Sequence, residues 1–273
     1  MLPCLYPTDL SYKTLRGSKN KDRRALHFLN VYAAESGITL FGQAIDSKEN
    51  EIKAIPEAIE CVDIKGGIVT IDAMGCQKSI AKQIVEKEAD YIFGLKMNHP
   101  RLYNEVVQAF QIEGSEFLEM DTAETYDKGH GRIEERKCRV IRDINKISSS
   151  EQWAGLSSII EIKRQVTEKT KVSESVNYYI SSSNNSAKGM LKSIRSHWSI
   201  ESMHWILDVV FNEDASSICA GNAPANMAII RRFVLNILNR IKTKRETRPK
   251  MMLTMGWSPK NLKRFINALI NIN

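Results

Sequence analysis

Gly66-Gly67-Ile68-Val69-Thr70-Ile71-Asp72 is a glycine pair, a short run of strand-forming residues and a terminal acid. Four such residues without polar alternation predict a strand buried on both faces, as in parallel sheets. Upstream, Glu51 to Val62 is apolar at Ile52, Ile55, Ile59 and Val62, a helical spacing. Before it, Leu29, Val31 and Ala33 alternate within His27–Ala33, and the Ser36-Gly37 turn leads to Ile38–Asp46. That second run is apolar on both faces, as in a more central strand, and the two are expected to pair as a hairpin. Downstream, residues 77–88 read as a helix, Asp90–Leu95 as a strand, and Pro100 opens a helix to about Phe110. This order predicts an α/β fold, a mixed sheet with helices on its faces.

Near Ser115 the periodicity becomes that of strands. Cys138 and Val140, then Ile160, Ile162 and Val166, then Val176, Tyr178 and Ile180 alternate with polar partners. A β-rich insertion is therefore expected over 115–185, with Gly129-His130-Gly131 as one turn. It separates residues 1–114 from a helical part, 186–273, that completes the core.

The chain has 273 residues, 42% hydrophobic and 26% charged, an ordinary globular composition. This excludes a mainly disordered chain, a collagen-like repeat and a disulfide mini-protein. No apolar run approaches the ~20 residues of a membrane span, and Met1–Pro7 lacks signal-peptide features, so a cytoplasmic location is expected. The five cysteines form no Cys-x-x-Cys pair, which argues against structural zinc. The net charge of +7 is concentrated. Arg231–Arg264 holds eleven Lys and Arg against Glu246 alone, so this window is +10 and the remainder −3. Such an arm suits contact with a phosphate backbone, or is simply a solvated lysine-rich face.

On a helix turning about 100° per residue, Ser196–Phe211 places His197, Glu201, His204 and Asp208 in one stripe. Apolar residues occupy most of the remaining circumference, which predicts a buried helix. The stripe must then face a cavity or buried partners, because buried unpaired carboxylates are costly. Asp72 is its natural companion, at the carboxyl end of a buried strand where open α/β sheets place ligands. It could equally cap the next helix. Two such acids beside a basic arm suit hard-cation chemistry on phosphodiesters.

Several ordered motifs resemble insertion-sequence transposases of the ISAs type, also called H-repeat-associated proteins. These are Ile71-Asp72-Ala73-Met74-Gly75-Cys76-Gln77-Lys78, Arg195-Ser196-His197-Trp198-Ser199-Ile200-Glu201 with His204-Trp205-Ile206-Leu207-Asp208, and Lys13-Thr14-Leu15-Arg16-Gly17-Ser18. Asn212-Glu213-Asp214, Asn222-Ala223-Pro224-Ala225-Asn226, Gly129–Glu134 and Tyr178–Ser182 continue the match. The resemblance implies an RNase H-like catalytic domain of the DDE superfamily, an Asp-Asp-Glu triad holding two Mg²⁺, with Mn²⁺ as a substitute. Asp72 would be the second acid and Glu201 the last, 129 residues on, the insertion lying between. The implied chemistry is hydrolytic nicking of DNA at element ends, then attack of a 3′-hydroxyl on a target phosphodiester. Implied partners are DNA and a second copy as a homodimer, with no membrane and no small-molecule substrate, in the bacterial cytoplasm at the nucleoid. Lys96, Asn98, Arg132, His197 and Trp198 are the candidate DNA contacts.

One departure stands out. Family members read Asp-Gly-Lys where this chain has Ser11-Tyr12-Lys13, so Ser11 occupies the place of the first acid. Pro3 and Pro7 suit a central strand poorly. Asp9 lies ~6.6 Å of strand rise from Ser11, and is expected to be misplaced for a metal site. The expectation is an N-terminally truncated, inactive copy with a degenerate first strand. A non-catalytic DNA-binding remnant interfering with an intact relative is the alternative, and an RNase H-like nuclease that never joins strands is a third.

Overall fold

A computed structural model describes residues 7–19, 21, 24–45, 51–111, 120–129, 131–169 and 171–270. Pro3, Ser115 and His130 lie outside the described residues. The chain forms two compact units, one comprising residues up to Leu10 with Asp63–His197, the other Ser11–Val62 with Trp198 onward. Strand β1 (Pro7–Leu15) contributes to both.

In the first unit, β4 (Ile68–Ile71) pairs in parallel with Pro7–Leu10 of β1 and with β5 (Asp90–Leu95). The expected degenerate first strand is thus a strand after all. Pro7 is its first residue, where a missing N–H is tolerated. The order continues from β5 to β9 (Lys171–Ser181), β8 (Ser158–Glu168), β7 (Arg132–Ile141) and β6 (Met120–Gly129), all antiparallel. Helices α2 (Lys78–Glu86) and α3 (Pro100–Gln111) follow β4 and β5. The long helix α4 (Ala187–Val209) begins here, its Ala187 N–H donating to Asp121 Oδ2 at 2.7 Å. Met190, Leu191 and Ile194 of α4 pack on Ile92, Cys138, Val140, Ile160 and Ile162, so alternation on the strands meets helical spacing in one core.

In the second unit, β2 (Leu26–Ala33) and β3 (Ile38–Ile45) form the expected antiparallel hairpin, with a bulge at Val31/Tyr32. β3 is an edge strand rather than the central one its apolar pattern implied. Its apolar character reflects a cover by α5 (Ala223–Ile241): Asn236 bonds both the N–H and the carbonyl of Thr39 at 2.8 Å. A helix side chain thereby satisfies exposed edge groups that would otherwise template association. The unit also holds α1 (Glu51–Glu60), the end of α4, α6 (Arg248–Met255) and α7 (Pro259–Ile270). Gly17 is demanded by sterics, since a Cβ there would lie 2.1 Å from the Ser216 carbonyl oxygen.

Candidate active site and nucleic-acid interface

Asp72 immediately follows β4 and is exposed. Its Oδ1 accepts from Met74 N–H at 3.1 Å and Gly75 N–H at 3.4 Å, capping the 3₁₀ turn Ala73–Gly75. The capping reading and the active-site reading are therefore compatible: one oxygen holds the turn and Oδ2 has no partner among the described residues. Gly94 backs the same peptide, where a Cβ would approach Ala73 N to 3.1 Å. Asn98 Nδ2 donates to the Ala73 carbonyl at 2.7 Å, so it braces the turn that carries Asp72. His99 contacts the Cys76 carbonyl at 2.7 Å and Trp153 edge-on. Cys76 is sealed inside, and burial pushes its thiol up to about 12. Lys96 is exposed beside this loop.

The register of β1 explains how Ser11 relates to Asp72. Leu10 pairs with Ile71, so Ser11 and Asp72 are the next residues along their two strands. Asp9, one pair earlier, lies opposite Thr70 and is completely buried. Thr70 Oγ1 donates to Asp9 Oδ1 and meets His197 Nδ1 at 2.9 Å. A threonine hydroxyl has one proton, here given to Asp9, so His197 Nδ1 is the donor in the second bond. His197 Nδ1 also stands 3.5 Å from Asp9 Oδ1, while Asp9 Oδ2 has no partner among the described residues. His197 thus turns inward onto two strands. Sequence reasoning saw Asp9 only as a misplaced acid, because the pairing that faces it with Thr70 and His197 is not written in local pattern.

In the second unit, α4 is only partly buried, contrary to expectation. Ile200, Met203, Ile206 and Leu207 are inside, but Trp198 and Trp205 are 52% and 58% exposed and Val209 54%. Counting hydrophobic residues misjudged the helix, because indole faces can be presented outward as well as packed. Glu201 lies on that exposed face between the two tryptophans. Two stripe members have buried partners. Asn30 Nδ2 donates to His204 Nε2 at 3.3 Å, and Lys13 Nζ contacts Asp208 Oδ1 at 2.5 Å and Asp214 Oδ1 at 3.0 Å. Arg232 bonds Glu213 at 2.8 Å and Asn30, and stacks on Phe28 with its guanidinium carbon 4.2 Å from the ring centre. Burial pulls the Arg232 guanidinium below its ordinary range and Glu213 pulls it back.

Arg132, the remaining predicted contact, pairs with Glu134 at 3.2 Å. Glu134 also receives Arg136 at 2.6 Å and Arg164. Burial alone would raise its carboxyl, yet the Arg164 hydrogen bond and the surrounding arginines hold it below the ordinary range. Asp127 bridges Arg136 and Arg195, both at 2.8 Å. Charge separates the two units: the second carries 19 basic against 12 acidic residues, the first 20 against 20. Among the described residues, no three His, Cys, Asp or Glu side chains are grouped to hold a metal ion, and no helix is long and apolar enough to cross a membrane.

The mixed sheet with flanking helices is an RNase H-like fold. The fold matches the piggyBac transposase in its synaptic complex with hairpin DNA, with a TM-score of 0.51 at 9% identity, covering 97% of this chain and 54% of that one. Residues 7–237 match the family model described as "Transposase DDE domain", and the chain belongs to that family. It is 38% identical to the Escherichia coli O157:H7 protein "Putative transposase YncI" over 84% of its own length and 61% of the relative's. It is 37% identical to "H repeat-associated putative transposase YhhI" of E. coli K12, over 84% and 63%. The chain thus spans about three fifths of the length of these relatives.

Proposed function

We propose that the chain is the catalytic region of a DNA transposase whose own cleavage activity is crippled at one position. The observation that carries the reading is the end of β4. Asp72 is exposed, its turn is braced by Asn98, one carboxylate oxygen has no partner among the described residues, and Ser11 follows Leu10 as Asp72 follows the Ile71 it pairs with.

DDE transposases use divalent metal ions. Asp72 and Glu201 have the donor chemistry for a pair of them, being exposed carboxylates without an ion pair among the described residues, and we assign them as ligands. Mg²⁺ fits such all-oxygen donors, and Mn²⁺ would substitute. The metal would activate the attacking oxygen and neutralise charge on the phosphodiester. Ser11 supplies a neutral hydroxyl where a third negative charge would help to hold the ions, and Asp9 cannot replace it, being sealed against Thr70 and His197. The chain's own contribution is positioning. The Ala73–Gly75 turn orients Asp72, and α4 carries Glu201 between two exposed indoles. Lys96, Trp198 and the excess cations of the second unit meet the DNA strand, Arg132 touching its backbone from the insertion. Asn98 and His197 serve that interface through the elements they brace. The work would be done at the nucleoid, with a second copy pairing two DNA ends.

Nicking of supercoiled plasmid in MgCl₂ or MnCl₂ tests this. The unmodified chain should leave the plasmid intact, Ser11→Asp should nick it, and Ser11→Asp with Asp72→Asn should not. Robust nicking by the unmodified chain would overturn the assignment of Ser11. The same preparations discriminate the second reading, a DNA-binding protein that interferes with an active relative. Salt-dependent binding with no cleavage in any variant would favour it.

A further inference from the structure

A cavity of about 400 Å³ in the second unit lies apart from Glu201 and the indoles. Its walls are the β2–β3 turn at Ser36–Gly37, the Ser199 and Ser202 side of α4, and the segment joining α5 to α6. That segment contributes Lys242 and Lys244, and the start of α6 contributes Arg248, three cations at one opening. Lys242 and Lys244 have no ion pair among the described residues. The acid nearest in sequence, Glu246, is consumed elsewhere: it accepts from Thr243 N–H and Oγ1 at 3.0 and 2.8 Å and pairs with Arg264 at 2.9 Å. Those bonds, the Thr243 ones foremost, hold its carboxyl down to about 2. Glu35 is the single acid on the lining, and it is engaged in an interaction of its own.

The cavity is built rather than incidental. Arg248 Nε donates to Asn239 Oδ1 at 2.6 Å, and Asn239 Nδ2 donates to the Gly37 carbonyl at 2.5 Å. This chain of bonds fixes a guanidinium edge at the wall while leaving its remaining N–H groups available. Ser199, on the same wall, has its Oγ sealed from solvent with no partner among the described residues. Tyr32, Met203 and Ile206 supply an apolar floor. Three cations lining one opening above an apolar floor suit a compact anion attached to something flat.

We propose that this cavity is a phosphomonoester site. A phosphomonoester carries close to two charges at neutral pH and three acceptor oxygens, against one charge on a backbone diester. Resting on the DNA-processing reading above, its occupant is the 5′-phosphate end of a cleaved strand. Hydrolysis that leaves a 3′-hydroxyl on one side of a phosphodiester must leave the phosphate on the 5′ end of the other. Such a site would retain that end after the break.

The test compares two oligonucleotides of one sequence, labelled at the 3′ end, one with a 5′-phosphate and one with a 5′-hydroxyl, by fluorescence anisotropy. The expected result is a roughly tenfold preference for the phosphorylated end, the scale of one charge-assisted hydrogen bond. Lys242→Gln with Lys244→Gln should erase the preference, as should competition by dAMP, while overall folding measured by circular dichroism is unchanged. Equal binding of both oligonucleotides would overturn the site while leaving the DNA reading intact. So would a preference that survives the double substitution. Should no oligonucleotide bind, the DNA reading and the strand-end occupant both fail. The phosphomonoester site itself is then supported if dAMP raises the melting temperature of the unmodified chain but not of the variant, and refuted if it raises neither.

Discussion

Each unit buries a polar cluster, and the two are solved in opposite ways. In the second unit, Lys13 and Arg232 stand among Asp208, Glu213 and Asp214, and every carboxylate meets a cation within 4 Å. In the first, Asp9 is fully buried with a threonine hydroxyl, an imidazole and one oxygen that has no partner among the described residues. Full pairing is what a buried charge needs in order to be structural. An incomplete shell on a buried carboxylate, one pair before Leu10–Ile71, is the exception that calls for an explanation.

The contrast can be broken most forcefully at Arg232. Arg232→Met should destabilise the chain by about 3–5 kcal/mol in chemical denaturation, because Glu213 is left buried and unpaired. A loss below about 1 kcal/mol would mean that the cluster is hydrated and the contrast false. Asp9→Asn should be far milder, within about 1 kcal/mol, since it removes a buried charge lacking a full set of donors and keeps an acceptor for Thr70. A loss as large as that of Arg232→Met would show that Asp9 is held by its partners as firmly as Glu213, making the two clusters alike. The smallest effect is expected at the arginine-bound Glu134. Its folded-state carboxyl titrates below its ordinary value of 4.5, so its stabilisation is complete above that pH and is lost as pH falls through the folded value. Melting curves between pH 5 and pH 3 should therefore fall less steeply for Glu134→Gln than for the unmodified chain. Parallel curves would place the acid sensitivity elsewhere.

Much of the fold was legible because it follows local periodicity. The hairpin, the buried strand before Asp72, the helices after it and the alternating strands of the insertion all stand where apolar spacing put them. Prolines and indoles misled for a common reason. Pro7 heads a strand and the tryptophans face outward because position in the assembled unit, not residue type, decides what each costs. Of the candidate site, Asp72 was readable from its place after a buried run, and the capping role of its Oδ1 was a known alternative. Asn98 was readable as a motif residue but not as a brace, since its target is a carbonyl 25 positions away.

The amino-acid sequence by itself determined the family, the order of strands and helices, and the serine that stands where an acid is expected, because motifs and periodicities are properties of neighbours along the chain. Only tertiary structure decided that Asp9 faces Thr70 and His197, that β3 is an edge sealed by Asn236, and that Lys242, Lys244 and Arg248 share a cavity with a buried serine hydroxyl. Those are juxtapositions across long separations, set by strand register and helix packing, and no local pattern encodes them.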